Sequence, residues 1–188
     1  MTQAAIQIQD LQFSYGKKHV LKGVNLEVPQ GAIFGFLGRN GAGKTTTIKA
    51  LLGLQKPTSG SCTINGLDSF SDSLKVRTQI GYMAEDQQMY GWMTVDQLIK
   101  WVGGFYRNWD NEFTVELLGV LRLDKTAKVK TLSKGQNSSL ALLLALGHHP
   151  DLVILDDPTL GLDPIARKDF LRHVIDLLQS QGVTVFFS

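Results

Sequence analysis

The chain has 188 residues, of which 43% are apolar and 19% charged, so it has the length and composition of one globular domain, or one with a small appended lobe, that can bury a hydrophobic core. The net charge is only +2, with no basic tract of the kind that binds a nucleic-acid backbone, and no nucleic-acid partner is expected. Cys62 is the single cysteine, which excludes an internal disulfide. The longest apolar run, 140–147, is shorter than the roughly 20 residues that a membrane helix needs. Any membrane association is therefore expected to depend on a partner.

The predicted elements alternate between strands and helices, as in α/β folds. The nearly continuous apolar run 32–37 is suited to a strand buried on both faces of a parallel sheet. We therefore expect a single domain over 1–188, built on a mostly parallel sheet with an antiparallel β lead-in and a smaller helical lobe. In chain order, the predicted elements are two antiparallel strands within 6–28 joined by a turn at 15–18, a strand at 32–37, a helix at about 44–54, a strand at 61–64, a mostly helical stretch at about 86–147, and strands at 152–155 and 183–187.

A glycine-rich motif stands between the predicted strand at 32–37 and the helix that follows it. Residues 38–45 read GRNGAGKT and fit the pattern G-x-x-x-x-G-K-S/T. Glycines let backbone N–H groups converge on phosphate oxygens, which a Cβ would obstruct. We expect Lys44 to reach the β- and γ-phosphates and the Thr45 hydroxyl to bind Mg²⁺. A plain glycine-rich turn is the alternative, which the strand–loop–helix context disfavours. The expected nucleotide contacts are Gly38, Asn40, Gly41, Ala42, Gly43, Lys44, Thr45 and Thr46.

Two carboxylates end the apolar strand predicted at 152–155. In open α/β sheets, ligands bind at the C-terminal ends of the strands, so Asp156 is expected to lie beside the phosphate loop and hold Mg²⁺. Asp157 would then orient or deprotonate the attacking water. On their own, the two acids could equally cap the strand before Pro158, but the phosphate loop upstream favours the catalytic interpretation.

A third motif, LSKGQ at 132–136, precedes the strongly apolar stretch 140–146. A helix that is apolar on all sides is a core helix, and its N-terminus is a second potential anion-binding helix end. Ser133 is equally suited to be an ordinary helix cap.

Together these motifs resemble the nucleotide-binding domain of ABC transporters, most closely the subunits of multidrug, antibiotic or ion exporters. The resemblance covers the whole chain and rests on GRNGAGKTT, LLGLQKPTSG, LSKGQ and ILDDPTLGLDP. It implies a P-loop NTPase core of the RecA-like type that binds and hydrolyses ATP with Mg²⁺ to power transport. It also implies a head-to-tail dimer with a second copy or a homologous subunit, and a separate transmembrane permease. The protein would then be cytoplasmic, held on the inner face of the membrane through that permease.

The resemblance also assigns individual residues. Ser133, Gly135 and Gln136 would contact the γ-phosphate of the ATP bound to the partner subunit. Tyr15 matches the aromatic residue that stacks on adenine, although a buried hairpin tyrosine is the alternative. Residues 162–163 match a loop that links the two sites, and Asp163 can also cap the helix that begins at Pro164.

The sequence departs from the family pattern at three places. Glu85 stands where the family usually has a Gln that touches Mg²⁺ and senses the membrane subunit, and a carboxylate can still face a metal. Asp157 stands where Glu is usual, and because a displacement of about 1 Å can lower a rate about a hundredfold, we expect a working but less efficient base. The family's histidine would fall after Ser188, so a C-terminally truncated domain with poor turnover is expected. The predicted catalytic residues are Lys44, Glu85 and Asp157.

These exchanges keep open a different class of function, a non-transport ATP switch with weak hydrolysis.

Two further expectations concern histidines and aromatic residues. His148 and His149 are placed at a helix C-terminus, where partial positive charge is favourable. The segment 82–109 holds all three tryptophans, and with Met83, Met89 and Met93 its aromatic rings would either dock the permease or fill the core of the helical lobe.

Overall fold

A computed structural model describes residues 4–180 and 182–188. The strands are β1 (Ala4–Tyr15), β2 (Lys18–Pro29), β3 (Ile33–Gly35), β4 (Ser59–Ile64), β5 (Leu67–Asp68), β6 (Ile80–Met83), β7 (Leu152–Leu155) and β8 (Thr184–Phe187). The helices are α1 (Lys44–Leu51), α2 (Ser73–Gln79), α3 (Val95–Gly103), α4 (Asn111–Val120), α5 (Lys134–Leu146) and α6 (Pro164–Ser180), with a short 3₁₀ turn at Val129–Thr131. Among the residues described, no helix combines the length and apolar character needed to cross a membrane.

The strands form two sheets of opposite character. One is antiparallel in the order β2-β1-β4-β5, with the β1–β2 hairpin closing at the pair Tyr15 and Lys18. The other is parallel in the order β3-β8-β7-β6. The predicted α/β class, with an antiparallel lead-in before a parallel core, is confirmed.

The parallel sheet lies between two hydrophobic cores, because successive side chains of a strand point to opposite faces. On β7, Val153 and Leu155 belong to the core built with α3, α4, α5 and α6. Leu152 and Ile154 belong to the other core, built with β1 and α1. All four residues are buried, which explains why this strand is a continuous apolar run.

The strand expected at 32–37 is present but shorter, and it is only partly buried. It spans Ile33–Gly35; Ile33 packs against one core and Phe34 against the other, both half-buried, and Gly35 is exposed. Within the described residues, β3 pairs with β8 alone and so lies at a sheet edge. Leu37, which follows the strand, is 83% exposed. The apolar run continues past the point where the sheet ends, so composition alone overestimated both length and burial.

Between β6 and β7 the chain is mainly helical. The apolar residues of α5 from Leu140 to Leu146 are all buried, as expected for a core helix. Both histidines follow α5, as expected, but positive charge is not favoured on His148, which is buried and donates from Nε2 to the Ile80 carbonyl (3.2 Å). Burial lowers the pKa of His148 and favours the neutral ring. His149 is exposed and contacts Asp110 at 2.9 Å.

Candidate functional site

A cleft of about 660 Å³ opens at the C-terminal edge of the parallel sheet, where ligands bind in open α/β folds. It brings together the phosphate loop, the ends of β6, β7 and β8, and the β1–β2 hairpin. The residues that line it are Tyr15, Lys18, His19, Val20, Lys22, Asn40, Gly41, Ala42, Gly43, Lys44, Thr45, Thr46, Glu85, Asp156, Asp157 and Ser188.

The phosphate loop has a backbone shape that only glycines adopt readily. Gly41 and Gly43 have φ of 81° and 99°, in the left-handed region. A Cβ on Gly43 would lie 2.5 Å from Cδ2 of Leu21, so a side chain does not fit there. Gly43 is also the N-cap of α1 and supplies no capping side chain. The first N–H groups of α1 therefore lack a side-chain cap and are available to an anion.

Lys44 is the first residue of α1 and crosses the loop that precedes it. Its Nζ donates a hydrogen bond to the Gly38 carbonyl oxygen (3.0 Å). An ammonium group has three donors, so Lys44 can keep this bond and still donate to a phosphate. Gly38 itself is not among the residues that line the cleft. Its contact with the nucleotide therefore stays a prediction.

Asp156 follows β7 and is 2% exposed. Its Oδ1 accepts a hydrogen bond from Ser188 Oγ (2.8 Å), and its backbone N–H donates to the Met83 carbonyl (2.9 Å). Its Oδ2 is buried and has no hydrogen-bond partner among the residues described. A buried carboxylate oxygen without a donor is unfavourable unless a cation lies beside it, so this atom fits a metal site.

Asp157 has a positive φ of 42°. Its N–H donates to the Ser188 carbonyl (3.2 Å), and its carbonyl accepts from Leu160 (3.1 Å), which fixes the turn after β7. Asp adopts the left-handed region more readily than Glu, because its short side chain forms local hydrogen bonds. The backbone at this position therefore suits the shorter acid.

Glu85 lies on the segment that follows β6 and lines the cleft. Gln87 does not line this cleft. Its Oε1 accepts a hydrogen bond from the Ala84 N–H (3.0 Å), and it lines a different groove. Burial, with the negative charges of Asp156 and Glu85, raises the pKa of Tyr82 to about 12. Both carboxylates therefore act on one half-buried tyrosine, as expected where negative charge gathers around a cation site.

The fit to Mg²⁺ depends on this donor set. Among the residues described, no group of three or more His, Cys, Asp or Glu could form a protein cage for a metal. Mg²⁺ is usually held by one or two carboxylates together with waters and substrate phosphates. Thr45, Asp156 and Glu85 line one cleft beside the phosphate loop and match that chemistry.

Tyr15 is 47% exposed, so it is not the buried hairpin tyrosine of the alternative interpretation. Its hydroxyl donates to Gln55 Oε1 (2.7 Å), and its ring packs on Phe13 with 4.9 Å between centroids. The ring is held at both ends and lies at the rim of the cleft. It can serve as a stacking platform for a base.

Sequence reasoning missed several residues that line the cleft. Lys18, His19, Val20 and Lys22 reach it because the hairpin turn after Tyr15 brings β2 back to the phosphate loop. Two of these are lysines near Lys44, which adds positive charge around a phosphate site. The antiparallel pairing of β1 with β2 was predicted from the sequence. The register of that hairpin could therefore have identified these residues as neighbours of the phosphate loop.

Ser133, Gly135 and Gln136 do not line this cleft. Ser133 Oγ accepts the Gln136 N–H (3.2 Å) and Gln136 Oε1 accepts the Ser133 N–H (2.9 Å), which forms a complete capping box on α5. Asp163 Oδ1 accepts the Ile165 N–H (3.0 Å), as predicted for the cap of α6. The LSKGQ motif is thus a self-capped, exposed helix end in the single chain.

The aromatic residues of 82–109 divide between surface and core. Trp101 packs edge-on against Tyr90 and Phe105, with 4.9 Å between centroids in each pair, and Tyr90 also contacts Trp92. These four rings are exposed and are called the aromatic strip. By contrast, Trp109 packs on the core. The methionines of this segment do not join the strip. Met83 and Met93 are buried, and Met89 is partly buried against the core.

A second groove has a volume of about 310 Å³. Val102 and Tyr106 line this groove and are the sequence neighbours of Trp101 and Phe105, which are exposed and do not line it. The groove is lined by Leu52, Leu54, Arg77, Ile80, Tyr82, Gln87, Val102, Tyr106, Ala141, Leu144 and Ala145.

Comparison with known families identifies the family of the chain. The family model described as ABC transporter matches residues 21–160. This chain belongs to the ABC transporter family. The matched range contains the phosphate loop, Glu85, the LSKGQ motif and both aspartates after β7. Membership of this family implies nucleotide binding.

Similar proteins carry names from the same family. The chain is 35% identical over 190 residues to the uncharacterized ABC transporter ATP-binding protein YdbJ of Bacillus subtilis (strain 168), covering 100% of this chain and 62% of that protein. It is 39% identical to the bacitracin transport ATP-binding protein BcrA of Bacillus licheniformis, covering 97% and 60%. The chain thus spans about three fifths of the length of these two relatives.

Solved structures with a similar fold are also ABC subunits. The structure of cbiO1 from Clostridium perfringens, part of the ABC transporter complex cbiONQ, superposes with a TM-score of 0.85 at 25% identity, covering 98% of this chain and 78% of that chain. An ATP-binding subunit of an ABC transporter gives 0.84 at 27% identity, covering 98% and 79%.

Proposed function

We propose that this chain binds and hydrolyses ATP with Mg²⁺ as the ATPase subunit of an exporter, in a dimer and with a separate transmembrane permease. The observation that carries the proposal is the single cleft that gathers the phosphate loop, Lys44, Asp156, Asp157 and Glu85. The single domain over 1–188, with its helical subdomain at about 86–147, is part of the same proposal.

The chain's own residues divide the chemistry. The open N–H groups of α1 and the Lys44 ammonium bind the β- and γ-phosphates. Thr45, Asp156 and Glu85 would hold Mg²⁺, which neutralises charge that develops on the phosphate oxygens. Asp157, fixed by the turn after β7, orients the attacking water and accepts its proton. Tyr15 stacks on the base.

The dimer part of the proposal follows from the exposed LSKGQ motif. Ser133 and Gln136 are exposed, and α5 carries no acidic residue in its first turn. A helix N-terminus without acids can accept a phosphate, and Ser133, Gly135 and Gln136 do not line the chain's own cleft. A second copy, or a homologous subunit, placed head to tail would bring its nucleotide to Ser133, Gly135 and Gln136.

The permease part follows from the groove and the aromatic strip. The groove is lined by residues of α2, β6, α3 and α5, and two of its lining residues, Tyr82 and Gln87, flank Glu85 in sequence. A helix from the permease in this groove would act on the segment that carries Glu85. Such docking would hold the protein on the cytoplasmic face of the membrane.

The direction of transport is proposed from the relatives. One relative is named for bacitracin transport and another, from Streptococcus pyogenes and 35% identical, for lantibiotic transport. Such names do not favour the alternative of a non-transport ATP switch. We therefore propose export of an antibiotic or drug-like compound.

The proposal is tested by titrating a fluorescent ATP analogue with Mg²⁺ into the chain. Saturable binding is expected, and Lys44→Ala should abolish it because the phosphates lose their ammonium donor. Lys49→Ala is the matched control, because Lys49 lies on the same helix but does not line the cleft. In the dimeric ATPase, Asp157→Asn should keep nucleotide binding and lose hydrolysis. Absence of saturable binding, or binding that survives Lys44→Ala, would contradict the proposal.

A further inference from the structure

Ser188 links the two strands that carry the catalytic edge of the sheet. It follows β8, and its backbone N–H donates to the Leu155 carbonyl (3.0 Å) at the end of β7. Its carbonyl accepts the Asp157 N–H (3.2 Å). Its hydroxyl donates to Asp156 Oδ1 (2.8 Å). Three bonds from one residue therefore hold the turn that presents both acids.

The hydroxyl bond divides the Asp156 carboxylate into two different oxygens. Oδ1 accepts from Ser188, whereas Oδ2 is buried and without a partner among the described residues. A hydrogen bond from a neutral hydroxyl fixes the orientation of a carboxylate and leaves its charge in place. An ammonium or guanidinium donor would fix the orientation but would also neutralise the charge. The negative charge stays available to a cation at Oδ2.

We propose that Ser188 is a positioning residue for the metal: its hydroxyl fixes Asp156 so that Oδ2 is the oxygen that binds Mg²⁺. The inference rests on the proposed function, because it needs a nucleotide–metal complex in the cleft. It assigns to Ser188 a role that acts through Asp156, whereas Thr45 would bind the metal directly.

Two substitutions isolate the hydroxyl from the backbone bonds. Ser188→Ala removes the donor to Oδ1 and leaves the backbone N–H and carbonyl bonds to Leu155 and Asp157 in place. Ser188→Thr keeps a hydroxyl at the same position. Changes to residues that orient a metal ligand typically lower metal affinity about 10–100-fold.

The test measures the affinity of a fluorescent ATP analogue for the full chain, first in EDTA and then as a function of Mg²⁺. Ser188→Ala should leave the affinity in EDTA unchanged and raise the Mg²⁺ concentration for half-maximal tightening about 10-fold. Ser188→Thr should behave as the wild type. Thermal unfolding of each variant in EDTA checks that the fold is retained.

Each other outcome has a distinct meaning. If the wild type binds no nucleotide, the proposed function fails. If the wild type tightens with Mg²⁺ and Ser188→Ala does so at the same concentration, the positioning role is wrong. It is equally wrong if Ser188→Ala weakens binding in EDTA as much as in Mg²⁺, because the hydroxyl would then act on the nucleotide or on the fold. Replacing Mg²⁺ by Mn²⁺ and following bound Mn²⁺ directly gives the same decision without the fluorescent analogue.

Discussion

The N-termini of α1 and α5 both stand in motifs that point to phosphate binding, yet they are built in opposite ways. The N-cap of α1 is Gly43, which has no side chain to satisfy the helix N–H groups. The N-cap of α5 is Ser133, which with Gln136 completes a capping box. Neither helix has an acidic residue in its first turn, so both ends keep the positive end of the helix dipole uncompensated.

The difference indicates how each end could meet a phosphate. At α1 the first N–H groups have no side-chain cap and can donate to a phosphate directly. At α5 the Ser133 hydroxyl accepts the Gln136 N–H and keeps its own O–H as a donor. In the proposed dimer, a phosphate at α5 would therefore accept a bond from the Ser133 hydroxyl without breaking the cap.

The largest expected effect comes from filling the glycine cap of α1. Gly43→Ala places a Cβ 2.5 Å from Cδ2 of the buried Leu21 at a φ of 99°, so either Leu21 or the loop must shift, and nucleotide binding should be lost. The variant should also unfold at lower temperature than the wild type. Equilibrium titration with the fluorescent ATP analogue and thermal unfolding check both points.

Gly41→Ala is the comparison variant for stability. Gly41 has a φ of 81° but no heavy atom within 4 Å of its ideal Cβ, so only backbone strain of about 1–2 kcal/mol is expected. If Gly43→Ala were no less stable than Gly41→Ala and still bound nucleotide, the glycine cap would not be what keeps α1 open.

Much of the α1 end was predictable because its chemistry is local. The pattern of residues 38–45 fixes the loop, the lysine and the helix start in consecutive positions, and the strand before it and the acids after β7 follow from simple apolar runs. The α/β class followed from the same runs. Ser133 as a cap was also foreseen, since capping depends on neighbours three residues apart.

The features that were missed depend on how distant segments meet. Ser188 lies 32 positions from Asp156, and nothing in its own surroundings in the sequence marks it as a partner of that carboxylate. Leu37 is apolar, yet it is exposed because the sheet edge ends before it. His148 is buried because it stacks on Tyr106, with 4.1 Å between ring centroids. Strand order and tertiary packing decide such cases, and single-sequence periodicity does not contain them.

An intermediate effect is expected when the α5 cap is removed. Ser133→Ala should lower the free energy of unfolding by about 1 kcal/mol, the usual value of an N-cap. Thr94→Ala is the matched control, because Thr94 and Gln97 form the same capping box on α3. Both variants should lose similar stability and keep the nucleotide affinity of the single chain.

Only Ser133→Ala should also impair the dimeric ATPase, by about 10–100-fold, the range for losing one hydrogen bond to a charged group. Denaturant unfolding and steady-state ATPase rates separate the two effects. Equal ATPase loss in Thr94→Ala would mean that helix stability, and not a phosphate contact, sets the rate.

The smallest expected effect is a charge reversal at the first residue of α5. Lys134 is a cation at the positive end of a helix dipole, which is unfavourable, so Lys134→Glu should raise the free energy of unfolding by about 0.3–1 kcal/mol. Lys100→Glu is the matched control, because Lys100 lies in the last turn of α3 and pairs with Asp96 (2.8 Å), so the same change there should destabilise.

The unfavourable position of Lys134 is explained if its positive charge attracts the phosphates of a second subunit's nucleotide. Lys134→Glu should therefore raise stability and lower the ATPase rate of the dimer, with the loss shrinking at high salt. If the variant is more stable and hydrolyses ATP at the wild-type rate, the α5 end has no electrostatic part in closing the site, and the contrast with α1 is one of capping alone.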